Sequence, residues 1–291
     1  MDRLRKELDQ AWEKRFGRDF RADVRATKTL FSPDGRKLCE VVHSRRLEEW
    51  YKSPQGKARY DKPKCFFCEK HDEFLLLETV MRLSHLGIYF NKKFVAPCHF
   101  LISPYAEHRE APNEDDIAVL QMLAAKTRLS IFGNMRDSGA SYPEHVHYQS
   151  LDVAFPIAAR PEEEVLFEAP FRLSRLDYAV AAYRLSPVLR CFSGFVAKVL
   201  ARLQRPYNPL FFGGDAFVVP RVKSVPFNTG GVKFASAEVF GIVFARSRDF
   251  YDSLTCDLML AAMQDVCLPA GSREAGEFEQ RLVQAAREVA A

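Results

Sequence analysis

This 291-residue chain has no apolar run long enough to cross a bilayer, and Met1 to Phe16 is too charged for a secretory leader. Those two absences point to a cytoplasmic protein with no membrane partner. It also lacks a strong charge of either sign: the net charge of +4 is too small to argue for nucleic acid, although a basic pocket for a phosphorylated ligand would fit it. There is no low-complexity tract. The seven cysteines are odd in number, which argues against a disulfide framework and for reduced thiols. Cys39, Cys98, Cys191, Cys256 and Cys267 lie in apolar surroundings and read as core packing.

What is present is an α+β pattern with 47% hydrophobic residues, enough for a substantial core. Leu4, Leu8, Trp12 and Phe16 recur at steps of four and predict an amphipathic helix over 1–16. A Pro-Asp-Gly turn at 33–35 precedes an extended stretch over 37–43, and the polar, basic residues 44–64 read as a surface loop. Strands are predicted at 87–91 and 94–104, then a helix capped at Asn113 to Asp116 and running to about Phe132. The tail V-H-Y-Q-S-L-D-V alternates like another strand.

The later residues repeat the theme more loosely. A helix-like stretch spans 186–204, a hairpin turns at Gly213-Gly214-Asp215, A-E-V-F-G-I-V-F-A-R reads as a buried strand, and helices are expected at 249–268 and 272–290. This predicts an internal duplication: an N-terminal half, 1–160, and a C-terminal half, 161–291, with a linker near 158–164.

Two constellations carry chemistry. Cys65-Phe66-Phe67-Cys68 has the spacing of half a tetrahedral zinc site. The remaining ligands would come from His71, His108 or His145, and buried thiols are the plainer alternative. The second is G-A-S-Y-P-E-H-V-H-Y-Q at 139–149, which puts His145 and His147 on one side of an extended chain. If one imidazole binds metal, its neighbour stays oriented, and a neutral imidazole is a competent nucleophile toward phosphorus. Gln149 would donate an amide hydrogen bond to a non-bridging phosphate oxygen. Gly139 would allow close backbone approach and Ser141 would supply a hydroxyl donor. From the second half, Arg221 and Lys223 are candidates to reach a phosphate or the acceptor.

The stretch N-M-R-D-S-G-A-S-Y-P-E-H-V-H-Y-Q resembles the active-site segment of the transferase branch of the histidine triad superfamily. That branch contains galactose-1-phosphate uridylyltransferase, diadenosine tetraphosphate phosphorylase and GDP-L-galactose phosphorylase. The Cys-x-x-Cys pair and Y-N-P-L-F-F-G-G-D-A-F-V-V-P-R at 207–221 are similar to segments of these enzymes. The pattern is most similar to an uncharacterised bacterial group with a C-F-L-C knuckle, a G-A-S-x-P-D-H-x-H-x-Q site and a late P-R strand.

The resemblance implies a fold of two antiparallel-sheet half-units with packed helices. It implies that Cys65, Cys68, His108 and His145 hold a structural zinc ion, with His71 in reserve, and that His147 forms a covalent nucleotidyl-imidazole. Gln149 then stands where hydrolases of the superfamily carry a third histidine. Asn134, eleven residues before His145, matches a binding asparagine; Arg45 or Arg46 would contact phosphate, and Asn91 would lie near the nucleotide. His99 is implied to be structural. The substrates implied are a nucleotide sugar or dinucleoside polyphosphate, with phosphate or a sugar phosphate as acceptor, in a monomer or homodimer. Val146 replaces the proline of uridylyltransferases, so strict uridylyltransferase identity does not follow. A protein of another class, a zinc-stabilised nucleotide-binding regulator without turnover, is the alternative.

Overall fold

The computed structural model describes residues 3–17, 24–53, 79–91, 95–105, 107–135, 138–139, 144–187, 193–203, 205–223 and 234–291. Cys65, Cys68, His71, Ser141 and Cys191 therefore lie outside the described residues. Helix α1 spans Arg3–Phe16 and buries Leu8 and Trp12, as the four-residue spacing predicts. Strands β1 (Val24–Phe31) and β2 (Lys37–Ser44) form a hairpin, and α2 (Arg45–Lys52) is a helix where a loop was expected.

The first half continues with β3 (Thr79–Leu83), β4 (Leu86–Phe90), β5 (Phe100–Pro104), α3 (Glu114–Thr127), β6 (Ser130–Gly133) and β7 (Tyr148–Leu151). The second half repeats this order as β8 (Glu162–Glu168), β9 (Phe171–Leu176), β10 (Tyr183–Pro187), α4 (Ser193–Ala201), β11 (Tyr207–Phe212) and β12 (Asp215–Pro220). It ends with α5 (Ser236–Val239), β13 (Ile242–Ala245), α6 (Arg248–Ser253), α7 (Cys256–Val266) and α8 (Arg273–Ala290).

Ten strands form one sheet in the order β3-β4-β5-β7-β6-β11-β12-β10-β9-β8. Counted inward from either edge, each half contributes its first, second, third, fifth and fourth strand, so the duplication is written in the topology. The halves join where β6 pairs antiparallel with β11, Phe132 opposite Leu210 and Ile131 opposite Phe211. Alternation across the pleat sends Ile131 and Phe211 to one face, under α1, α3, α4 and α8, with Leu120, Val199 and Leu282 in that core. Phe132 and Leu210 go to the other face, where β2, β13 and α7 supply Val41, Val243 and Met263. The second sheet, β1-β2-β13, is completed by the parallel pairing of β13 with β2.

Three sequence expectations shift. The helix from Asn113 stops at Arg128, a left-handed C-cap whose N–H donates to the Ala124 carbonyl at 2.8 Å, and 130–133 is a strand. Residues 162–187 hold three strands that the polar pattern conceals, so the stretch over 186–204 begins as β10 and only then becomes α4. A-E-V-F-G-I-V-F-A-R divides into α5 and β13, and 249–268 divides into α6 and α7.

Among the described residues no helix is long and apolar enough to cross a membrane. Because Phe211 is fully buried at the junction of the halves, Phe211→Ala is expected to cost about 3–5 kcal/mol. Chemical denaturation followed by far-UV circular dichroism and by fluorescence checks this, with the two probes moving together.

Candidate active site

Strands β5, β6 and β7 set the site. Pairing of β7 with β5 puts Gln149 opposite Leu101, and pairing with β6 puts it opposite Phe132. Side chains two apart share a face, so His147, Gln149 and His99 lie on one side of the sheet. Gly133 pairs with Tyr148, and extending that register by one residue sets Asn134 across from His147. The connection between β6 and β7, residues 134–147, carries the motif. Its counterpart in the second half is only Gly213-Gly214.

His147 is buried, and its Nδ1 lies 3.0 Å from the carbonyl oxygen of His145. A carbonyl can only accept, so Nδ1 carries the proton and Nε2 is the nitrogen with the lone pair. Burial pulls the His147 pKa down, opposed by that hydrogen bond and by Glu144, so the ring is neutral near pH 7.

Gln149 is oriented by a residue that motif reading treats as structural. His99 Nδ1 accepts from the Val95 N–H at 3.2 Å, so its proton sits on Nε2, which donates to Gln149 Oε1 at 2.8 Å. With its oxygen engaged, the Gln149 amide turns its NH2 the other way. Asn91 joins this network through its backbone N–H, which donates to the His99 carbonyl at 3.1 Å, and its side-chain amide lies against the same ring, where a protonated Nε2 requires the amide to present its oxygen. The sequence signal for His99 is its position two residues before Leu101, just ahead of the strand that pairs with the motif.

His108 and His145 converge. Their rings meet edge to face with centroids 5.2 Å apart. The convergence is built by the loop before α3: the Arg109 carbonyl accepts from the Val146 N–H at 2.8 Å, and its guanidinium bonds Glu107 and the buried Asp116. Ser103 Oγ donates to the Val146 carbonyl at 3.1 Å. His145 is pushed down to about 4, first by burial and then by His108, and a neutral imidazole is the form that ligates a metal. The two convergent imidazoles fit the zinc ligand set implied by the resemblance. Among the described residues no group of three metal-ligating side chains is assembled, and Cys65 and Cys68 lie outside them.

Other candidates are placed elsewhere. Arg221, expected to reach a phosphate, is 1% exposed and its guanidinium is directed at Val266, Asn208 and Phe234 inside the protein. Lys223 pairs with Asp265 at the surface. Arg45 and Arg46 lie exposed on α2, with Arg45 Nε 3.9 Å from Glu49. Gly139, at φ +96°, makes its close approach to the second half: a Cβ there would sit 3.4 Å from the Ala235 Cα. Asn134 is buried, and its carbonyl oxygen is engaged by Ser236, a residue with no signal in the sequence.

An antiparallel sheet duplicated about a central strand pair, with a His-x-His-x-Gln segment entering one strand, defines the class of fold. Yeast Ap4A phosphorylase Apa2 has this fold: its crystal structure matches with a TM-score of 0.66 at 15% identity, covering 92% of this chain and 98% of that one. Its complexes with Ap4A and with AMP match at TM-scores of 0.62 and 0.61, with 16% and 18% identity; each covers 92% of this chain, and 98% and 99% of the other. The fold is thus the one expected from the resemblance to the histidine triad transferase branch. Residues 55–152 match a domain of unknown function, DUF4922. No curated protein matches by sequence.

The neutral state of His99 has a pH signature. Burial depresses its pKa to about 4, so the folded state binds fewer protons than the unfolded one below the ordinary histidine value. Its contribution is complete above about pH 6.5 and is lost as pH falls toward 4, on the order of 3 kcal/mol in all. Denaturation midpoints measured from pH 7 to 4 should fall in that direction, and less steeply for His99→Asn.

Proposed function

We propose that this chain is a nucleotidyltransferase of the phosphorylase type, acting through a nucleotidyl-histidine. The observation that carries the reading is the His147 Nδ1–H bond to the His145 carbonyl, which fixes the tautomer that a phosphorus nucleophile needs. The fold shared with an Ap4A phosphorylase supports it at the level of architecture.

In this mechanism His147 Nε2 attacks the α-phosphorus of a nucleotide sugar or dinucleoside polyphosphate. An N–P bond forms, and the bond to the bridging oxygen breaks with its electron pair leaving on the sugar phosphate or nucleotide. The Gln149 amide, held by His99, donates to a non-bridging oxygen where charge builds. Phosphate, or a sugar phosphate, then attacks the same phosphorus and the N–P bond breaks, returning neutral His147. Glutamine has no proton to give or take near neutrality. An acceptor that is already anionic needs no general base, whereas water does, so a glutamine at this position favours transfer to phosphate over hydrolysis.

Cys65, Cys68, His108 and His145 would hold zinc, whose chemistry there is structural, since four protein ligands leave no open position. Held by His145, two residues away, the nucleophile keeps its backbone acceptor in place.

Incubation with α-labelled nucleotide should give an acid-labile, base-stable adduct on the wild-type chain and none on His147→Asn. Turnover in a phosphate-dependent screen of nucleotide sugars and dinucleoside polyphosphates should fall by at least about a thousandfold in that variant. For Gln149→Ala the loss should be about 100-fold or more. A fully active His147→Asn would end the covalent reading. Plasma emission analysis should find zinc in the wild type and lose it in His108→Ala and Cys65→Ser, with a lower thermal midpoint in both.

A further inference from the structure

The active-site turn is closed from the second half of the chain. Asn134 Oδ1 accepts from the Ser236 backbone N–H at 2.8 Å, with Ser236 Oγ at 2.7 Å and Asn208 Nδ2 at 3.4 Å. An amide whose oxygen is engaged on the second-half side presents its two N–H donors on the opposite side. Asn208 is fully buried, and its Nδ2 donates to the Gly133 carbonyl at 3.1 Å and the Ser138 carbonyl at 3.0 Å, one at each end of the turn.

Asn208 is in turn fixed by Arg221. Its Oδ1 accepts from Arg221 Nη1 at 2.6 Å, while Arg221 Nε donates to the Val266 carbonyl at 2.9 Å and Nη2 to the Phe234 carbonyl at 3.1 Å. These three acceptors are neutral, so the guanidinium is buried as a fork held at three points, a shape that lysine cannot copy. A cation on Oδ1 polarises the Asn208 amide and strengthens its bonds to Gly133 and Ser138. Gly139 completes the closure: a Cβ there would meet the Ala235 Cα at an ordinary contact distance of 3.4 Å, and it is the φ of +96° that disfavours a side chain.

We propose that Arg221, Asn208 and Ser236 are positioning residues for the proposed reaction. They hold Gly133, Asn134 and Ser138 in place and select the one orientation of the Asn134 amide that turns its NH2 toward the substrate phosphate. This assignment rests on the nucleotidyl-transfer reading and extends it: the second half, which has no motif turn of its own, supplies the frame that holds the donor of the first. It also gives Arg221 a role that needs no contact with substrate.

The test uses the full chain, with Arg221→Lys, Asn134→Ala and their combination. The probe is whichever of α-labelled UDP-glucose, GDP-mannose or diadenosine tetraphosphate labels the wild type best. Arg221→Lys should slow adduct formation by at least about tenfold while the concentration dependence shifts by less than about threefold. The double variant should be no slower than Asn134→Ala alone, because both changes remove the same donor. Hydrogen exchange by mass spectrometry should quicken over 133–139 in Arg221→Lys and stay unchanged in β5 and β9. Multiplicative losses in the double variant, or unchanged exchange over 133–139, would overturn the assignment. Should Arg221→Lys fail to fold, Ser236→Ala, which keeps the backbone N–H, carries the same kinetic and exchange expectations in weaker form. If the wild-type chain labels with none of the probes, the nucleotidyl-transfer reading fails instead, and the exchange comparison still decides whether Arg221 locks the turn.

Discussion

The pairing of β6 with β11 is the contact on which the rest depends. Ile131 opposite Phe211 and Phe132 opposite Leu210 turn two half-sheets into one and extend a hydrophobic core across the join on each face. Because the pairing is antiparallel, β11 begins where β6 ends. Asn208, near the start of β11, therefore arrives beside Gly133, and Arg221, just past the end of β12, arrives with it. Joining the sheets and framing the site are thus one geometric event. The join also divides labour between the repeats: one keeps the motif connection of 134–147, and the other shortens the same connection to Gly213-Gly214 and serves as its support.

The site is built from neutral imidazoles. Burial holds His99 and His145 near 4 and pulls His147 below its ordinary value, so none of the three donates from both nitrogens near pH 7. Each has its tautomer or its ring plane set by a neighbour: His147 by the His145 carbonyl, His99 by the Val95 N–H, and His145 by the edge-to-face contact with His108. The fixed positive charge is kept below the turn, on Arg221, whose burial lowers its pKa while its fork is satisfied by carbonyl and amide oxygens. The surface ion pairs, such as Arg248 with Asp252, add little to this by comparison.

Much of the local structure was legible. The four-residue spacing marks α1, Asn113 and Asp116 announce α3 with a capping box, and two glycines announce the β11–β12 turn. The misreadings share a cause. The run S-I-F-G is too short to be told from the end of a helix by periodicity, and the edge strand E-E-E-V-L-F-E shows solvent-facing charge where a buried strand would show alternation. A one-dimensional pattern records which faces are apolar only when one face is buried along a whole element.

For the site the division is sharper. The chemical identities at 145, 147 and 149 were set by the sequence alone: imidazole, imidazole and amide at alternate positions need only an extended backbone to share a face. What those groups do was decided by tertiary structure. The His147 tautomer and the Gln149 orientation each depend on one hydrogen bond, the second of them to His99, which lies 50 residues away along the chain. Arg221 shows the limit most plainly. Its charge reads from sequence as a surface ligand for phosphate, and only the convergence of β11, β12 and the 234 and 266 backbones reveals three oxygens placed to receive it. Sequence specifies donors and acceptors, and folding decides which of them meet.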